Sequence, residues 1–261
     1  MNKDEIVRDI RDERRRSLTF LRGLESEQFD VPTALPGWRL REVIAHLITT
    51  DKASVTGANL LTVLGSMERL ERWNEQKVPK WADRPVPELL MGLDRWGRGM
   101  IRLARTVPTT LYRLRLPTIF GRAPVGLLIW SRVYDEWIHR QDMRRALGLS
   151  DEEVDLGSPS EFLLTAIVSA VLPKLKGAAG DVAVSLEGAP VPPWRYDLAS
   201  GIGGPSAGPS DTAARIAGPA PSFIMAAAGR DTFDTLRRGG LLEVQGDEEL
   251  AARFLAMVRV V

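Results

Sequence analysis

The sequence predicts a four-helix bundle followed by a smaller α+β domain. Two observations lead to this prediction. Apolar residues recur at helical spacing through roughly the first 150 residues, whereas the rest of the chain contains short segments in which apolar and polar residues alternate. An acidic segment without periodicity, 150–157, separates the two parts. We therefore place the domains at residues 1–149 and 158–261.

Four helices are predicted for the bundle: 3–25, 40 to about 64, 87–106 and 125–147. Each carries an apolar stripe at the i, i+3, i+4, i+7 spacing of a helix with one buried face. Gly148 stands where a left-handed residue commonly ends a helix. Four such helices joined by one long connection favour a bundle.

Two polar stretches are interpreted as solvent-exposed. The segment from Glu68 onward is mostly polar and contains Pro79, Pro85 and Pro87, which predicts the long connection between the second and third helices. The basic stretch Arg8–Arg16 is interleaved with acidic residues, which is typical of a solvated helix face with i,i+4 ion pairs.

The second part of the chain is predicted to mix both element types. Strands are expected at 181–187, 194–198, 213–217 and 241–245, and helices at 160–175, 222–228 and 247–257. Gly204-Pro-Ser206-Ala-Gly208 matches the G-x-S-x-G pattern of a serine hydrolase. Prolines interrupt it and no histidine follows Ser206, so we interpret Gly201–Gly208 as a flexible loop.

Composition excludes several functions. The formal net charge of +1 gives no argument for a nucleic-acid or membrane partner, and the absence of cysteine removes disulfides, thiolate metal ligands and a cysteine nucleophile. The longest apolar run, 162–173, is shorter than the ~20 residues a membrane helix needs. The chain opens on Met-Asn-Lys-Asp-Glu rather than an apolar leader, so a cytoplasmic location is expected.

The chain contains two histidines, His46 and His139, and both fall within predicted helices. Asp135 and His139 are four residues apart, so their side chains share a helix face. His46 lies at the edge of its helix's apolar stripe, where it can point into the bundle. We interpret these three residues as ligands of one divalent metal, with Asp142 orienting the His139 imidazole.

The spacing also allows plainer interpretations. A single histidine at the edge of a stripe can be structural, and an Asp-x3-His pair can be a simple hydrogen-bonded pair on a helix. The ligand types do not identify the metal either, because two histidines and one carboxylate also bind non-haem iron.

Two segments carry a resemblance to a known family. LPGWRLREVIAHL at 35–47, followed by VYDEWIHRQD at 133–142, resembles the mycothiol-dependent maleylpyruvate isomerase family, whose first domain is a DinB-like metal-binding bundle. In the second half RIAGPA at 215–220, AGR at 228–230 and LEVQGDEELAAR at 242–253 look like the sterol-carrier-like domain that many members carry.

The resemblance implies a ligand set and a chemistry. The family's metal ligands carry over to His46, Asp135 and His139. Where this chain has Asp135 the family's enzyme has glutamate, which is one methylene longer, so Glu136 is the alternative carboxylate. The implied metal is zinc, and the implied cosubstrate is mycothiol, a low-molecular-weight thiol. Arg230 is a candidate contact for an anionic group of the substrate.

The expected function is therefore that of a metal-dependent isomerase or S-transferase, in which the thiol attacks a small electrophile. Two alternatives remain open. One is a metal- or ligand-binding module without turnover, and the other is a metal-dependent hydrolase at the same site. A monomer and a homodimer are each compatible with all three functions.

Overall fold

The computed structural model describes residues 2–58, 67–206 and 212–260. The chain divides into two compact units, Met1–Ile119 with Ala123–Asp151, and Phe120–Arg122 with Glu152–Val261. The first is helical, and the second combines a five-stranded sheet with helices. The predicted fold class is thus confirmed.

The elements of the first part of the chain have the following bounds. The helices are α1 (Lys3–Arg22), α2 (Leu40–Thr56), α3 (Met67–Lys77), α4 (Pro79–Ala82), α5 (Val86–Thr106), α6 (Thr109–Tyr112) and α7 (Val125–Ala146). A 3-10 helix covers Ser26–Asp30, and the short strands β1 (Arg115–Thr118) and β2 (Gly121–Pro124) pair with each other.

The four long helices of the first unit form the bundle. Helices α1 and α2 each contact both α5 and α7, so the four surround a common core. That core contains Leu18, Leu21, Phe29, Leu40, Val43, Ile44, Leu47, Ile48, Leu89, Leu93 and Met143. None of the described helices is both long enough and apolar enough to span a membrane.

Capping interactions set the ends of these helices. The Asn2 side chain accepts a hydrogen bond from the Asp4 amide and begins α1. Gly148 adopts φ 72°, which confirms the predicted left-handed position after α7. Gly57, also at φ 72°, ends α2. The predicted extension of this helix towards Leu64 is therefore wrong at Gly57, and residues 59–64 lie outside the described residues.

The polar stretch after Glu68 is not an open connection. It forms helices α3 and α4, and Pro79 occupies the first turn of α4, where proline is well tolerated. Val78 and Ala82 are buried against Ala45 of α2. The few apolar residues that make these contacts stand among charged residues, so no helical periodicity was apparent in the sequence.

The prediction that Arg8–Arg16 is a solvated helix face is wrong at two positions. Arg14 and Glu13 are 5% and 1% exposed, respectively. Arg14 follows Ile6 and Ile10 at intervals of four residues, so it occupies a position within the apolar stripe of α1. Its guanidinium donates to the Leu93 carbonyl of α5 at 2.6 Å and forms ion pairs described below.

The second part of the chain has the following elements. The helices are α8 (Gly157–Ala170), α9 (Leu172–Leu175), α10 (Ala220–Ala227), α11 (Phe233–Arg238) and α12 (Glu248–Met257). The strands are β3 (Asp181–Glu187), β4 (Trp194–Asp197), β5 (Ile202–Pro205), β6 (Ala214–Pro219) and β7 (Glu243–Gly246).

The five strands lie in the order β5-β4-β3-β6-β7, and β3 pairs with β6 in parallel while the other neighbours are antiparallel. Helices α10 and α12 contact β3 and β6. Tyr196 of β4 is buried, stacks near Phe254 of α12 at 5.3 Å and donates its hydroxyl to the Leu164 carbonyl of α8. Strands β4 and β6 alternate buried and more exposed residues, whereas β3, which lies between them in the sheet, is buried along 181–184.

The interpretation of Gly201–Gly208 as a loop is wrong for Ile202–Pro205, which form the edge strand β5. Gly203 lies so close to Tyr196 that a Cβ there would be 2.6 Å from its ring, so glycine at this position lets the strand pack beside a large neighbour. Ala207 and Gly208 of the G-x-S-x-G match lie outside the described residues.

We predict that Gly97→Ala destabilises the bundle. An alanine Cβ at this position of α5 would lie 2.7 Å from Nη1 of Arg14 and would displace its guanidinium. In most helices the change adds up to about 1 kcal/mol of stability. Here we expect a loss of about 1–3 kcal/mol in the free energy of unfolding, measured with urea. The comparison is Gly99→Ala, whose Cβ would meet the Val55 side chain at 3.2 Å and the Trp96 ring at 4.0 Å. An equal or smaller loss at Gly97 would contradict the prediction.

Candidate metal centre

The three predicted ligands come from two helices of the bundle. His46 lies on α2, while Asp135 and His139 lie one turn apart on α7. Both histidines are buried, and the Asp135 side chain is 29% exposed. Rigid helices therefore present all three groups.

The side chains converge on one point. Oδ1 of Asp135 lies 3.7 Å from Nε2 of His46 and 3.7 Å from Nε2 of His139. One ligand atom from each residue lies within 4.8 Å of the other two. Three ligands at 2.0–2.1 Å from a tetrahedral metal would be about 3.3–3.4 Å apart, so a small closure of these groups suffices.

The second nitrogens of the imidazoles have different surroundings. Nδ1 of His139 lies 2.9 Å from Oδ2 of Asp142, as expected from the spacing. This contact favours the tautomer in which Nδ1 carries the proton and Nε2 offers its lone pair towards Asp135. Nδ1 of His46 is buried and has no hydrogen-bond partner among the described residues.

The other two candidates are placed elsewhere. Glu136, the alternative carboxylate, is buried, and both of its oxygens accept hydrogen bonds from Nε of Arg14 at 2.8 and 3.0 Å. Because both oxygens already bond to Arg14, Glu136 is a poorer ligand candidate than Asp135. Arg230 belongs to the second unit, where its guanidinium donates to the Ala228 carbonyl at 2.8 Å. Its contact with a substrate stays a prediction.

A buried row of charged side chains adjoins the three candidate ligands, His46, Asp135 and His139, which we call the trio. Five groups alternate in sign, each within ion-pair distance of the next: Glu136, Arg14, Asp51, Arg132 and Asp135. We call this series the ion-pair row. It joins α1, α2 and α7, and it ends on the candidate ligand Asp135.

Sequence analysis missed the three middle members of the row. A signal was nonetheless present. Arg14 interrupts the apolar stripe of α1, and Asp51 continues the stripe of α2 after Ile44 and Ile48 at helical spacing. A charge within a buried stripe requires a partner of opposite charge, which here lies on another helix.

An aromatic ring lies beside the histidines. The ring of Trp38 is 5.4 Å from that of His46 and 6.3 Å from that of His139. Gly37 adopts φ 74° in the turn before it, and the Trp38 amide bonds back to the Leu35 carbonyl. The Gly-Trp turn thus supplies an apolar wall to the site.

Burial and neighbouring charges set the protonation of the site. Burial lowers the pKa of His46 below its ordinary value and outweighs the opposing effect of Asp135. Burial also acts to raise the pKa of Asp135, but the charge of Arg132 and the two histidines outweigh it and hold this pKa well below its ordinary value. A neutral imidazole and an ionised carboxylate are the forms that bind a metal.

Comparison with known proteins places these observations in a family. Residues 10–144 match the family described as the mycothiol maleylpyruvate isomerase N-terminal domain. The crystal structure of the mycothiol-dependent maleylpyruvate isomerase is similar, with 18% sequence identity, a TM-score of 0.58, and coverage of 89% of this chain and 91% of that chain. A histidine-to-alanine mutant of that enzyme gives a TM-score of 0.57 at the same identity and coverage. These structures show the shared fold. No curated protein matches the chain in a sequence search.

We predict that Asp142→Asn weakens metal binding by about 10- to 100-fold, because a neutral amide no longer raises the basicity of the His139 imidazole. The measurement is competition for Zn²⁺ against a chelator. Asp151→Asn is the matched control, since Asp151 pairs with Arg145 at 2.6 Å near the end of α7 and does not contact the histidines. Equal zinc affinity in the two variants would argue against an orienting role for Asp142.

Proposed function

The chain belongs to the mycothiol maleylpyruvate isomerase N-terminal domain family, and on that basis we propose that it is a metal-dependent isomerase or S-transferase that uses mycothiol. Its substrate would be a small electrophile. The observation that carries the proposal is the convergence of His46, Asp135 and His139 on one point within the matched region.

The donor set fits a divalent metal. Two imidazole nitrogens and one carboxylate oxygen suit zinc, and three protein ligands leave a coordination position for an exogenous group, as in catalytic zinc sites. When bound, such a metal lowers the pKa of a coordinated thiol, so that sulfur can act as a nucleophile near neutral pH.

The charges around the site support a cation. The ion-pair row contains three carboxylates and two guanidinium groups, a formal excess of one negative charge. Unbalanced buried charge is costly, and a divalent cation at the trio would offset this excess.

The sulfur nucleophile must come from outside the chain, which contains no cysteine. A thiolate that adds to a double bond conjugated with a carbonyl forms a C–S bond and moves the electron pair of the double bond into an enolate, which leaves a single bond that can rotate. Collapse of the enolate expels the same thiolate, restores the double bond in the other geometry and regenerates the thiolate. Displacement of a leaving group instead gives a stable thioether, which is S-transfer.

The residues of the chain would prepare this step. Asp142 would hold the His139 ring with Nε2 towards the site, and Arg132 would hold Asp135. The Trp38 ring would limit the water that reaches the thiol, which favours the thiolate's reaction with carbon over exchange with solvent.

We predict that the purified protein contains one equivalent of metal and that His139→Ala loses both the metal and the binding of mycothiol. The measurements are elemental analysis and calorimetric titration with mycothiol. Asp151→Asn again serves as a control with intact ligands. Metal without thiol affinity, or turnover that needs no thiol, would favour a hydrolase instead. Equal thiol-dependent turnover by apo and metal-loaded protein would contradict the proposal.

A further inference from the structure

The two oxygens of Asp135 have different partners. Oδ2 accepts a hydrogen bond from Nη1 of Arg132 at 2.7 Å, while Oδ1 faces Nε2 of both His46 and His139. A charge-assisted hydrogen bond of this length holds the carboxylate in one rotation. Only Oδ1 is therefore offered towards the two imidazoles.

Arg132 is held in turn by groups on other helices. Its Nε lies 3.1 Å from Oδ1 of Asp51, and Oδ2 of Asp51 lies 2.6 Å from Nη2 of Arg14. Nε of Arg14 pairs with Glu136, one residue after Asp135 on α7. The row thus returns to the helix that carries the candidate ligand.

The middle of the row is deeply buried. The side chains of Arg14 and Arg132 are each 6% exposed, and that of Asp51 is fully buried. A guanidinium keeps its charge under these conditions, and its planar fork can bond two carboxylates in fixed directions. Each of the two arginines uses its fork in this way.

Stability alone is a weak reason for such an arrangement. Replacing buried ion pairs by apolar residues of similar volume is often neutral or stabilising, because desolvation offsets the attraction between the charges. A row that ends on a candidate metal ligand has a second use, which is to fix the direction of that ligand.

We propose that the ion-pair row is a positioning device for the metal site, in which Arg132, anchored by Asp51 and Arg14, holds Asp135 as a one-oxygen ligand. The inference rests on the metal site of the proposed function. Arg132 and Asp51 are positioning residues in this account, since they act on the metal through Asp135.

The test compares two buried arginines of α7. Arg132→Gln removes the group that holds Asp135, whereas Arg140→Gln removes a guanidinium that pairs with Glu13 of α1. Both variants lose a buried ion pair, so both lose stability. We expect Zn²⁺ affinity, measured by competition with a chelator, to fall about 10- to 100-fold in Arg132→Gln and less than about threefold in Arg140→Gln.

A spectroscopic measurement separates positioning from a loss of stability. In the Co²⁺-loaded protein the visible absorption is strong for four ligands and weaker for higher coordination. We expect Arg132→Gln to weaken this band, because Asp135 can then use both oxygens, and Arg140→Gln to leave it unchanged. If Arg132→Gln does not fold, Asp51→Asn takes its place in this comparison. Asparagine keeps the shape of the side chain, so we expect the same changes with a smaller effect.

The outcomes are distinct. If the wild-type protein binds neither Zn²⁺ nor Co²⁺, the proposed function fails together with this inference. If wild type binds both metals but the Arg132 and Arg140 variants lose affinity equally and keep the cobalt spectrum, the row is structural and the inference alone is overturned.

Discussion

The ion pair between Arg132 and Asp135 is the interaction on which the rest of the site depends. Asp135 must stay ionised to act as a metal ligand, and a carboxylate in a protein interior without a cationic partner tends to take up a proton. The guanidinium prevents this and at the same time leaves one carboxylate oxygen facing the histidines. The same contact therefore sets the charge and the direction of the ligand.

This arrangement explains features that have no role in an ordinary bundle. Gly97 leaves space for the Arg14 side chain where any larger residue would meet it. Asp51 uses its two oxygens for two arginines from different helices. A bundle stabilised by packing alone would place aliphatic residues at these positions. The polar interior is instead arranged around the middle of α7.

The bundle and its candidate ligands were accessible from the sequence because their signals are local. Helical periodicity and the rarity of histidine identified His46, Asp135 and His139, and the structure brings these residues together. The partners of Arg14 were not accessible in this way, since they lie 37 and 122 residues away along the chain. Its position within the apolar stripe indicated burial, but only the arrangement of α1, α2 and α7 in the folded bundle identifies its partners.

Strand β5 could not be predicted from local sequence signals. Residues 202–205 have the composition of a loop, and they become a strand because β4 offers an unpaired edge beside them. Helices α3 and α4 depend similarly on small contacts with α2. In each case contacts with a neighbouring element override the local preference of the sequence. A short stretch of sequence does not contain these contacts.

The most direct test of the central claim is a crystal structure of the zinc-loaded protein with anomalous scattering recorded at the zinc edge. The account predicts one zinc ion within about 2.0–2.2 Å of Nε2 of His46, Nε2 of His139 and Oδ1 of Asp135. Arg132 should still bond the other oxygen of Asp135. A zinc ion bound through Glu136, or an Asp135 side chain turned away from both histidines, would contradict it.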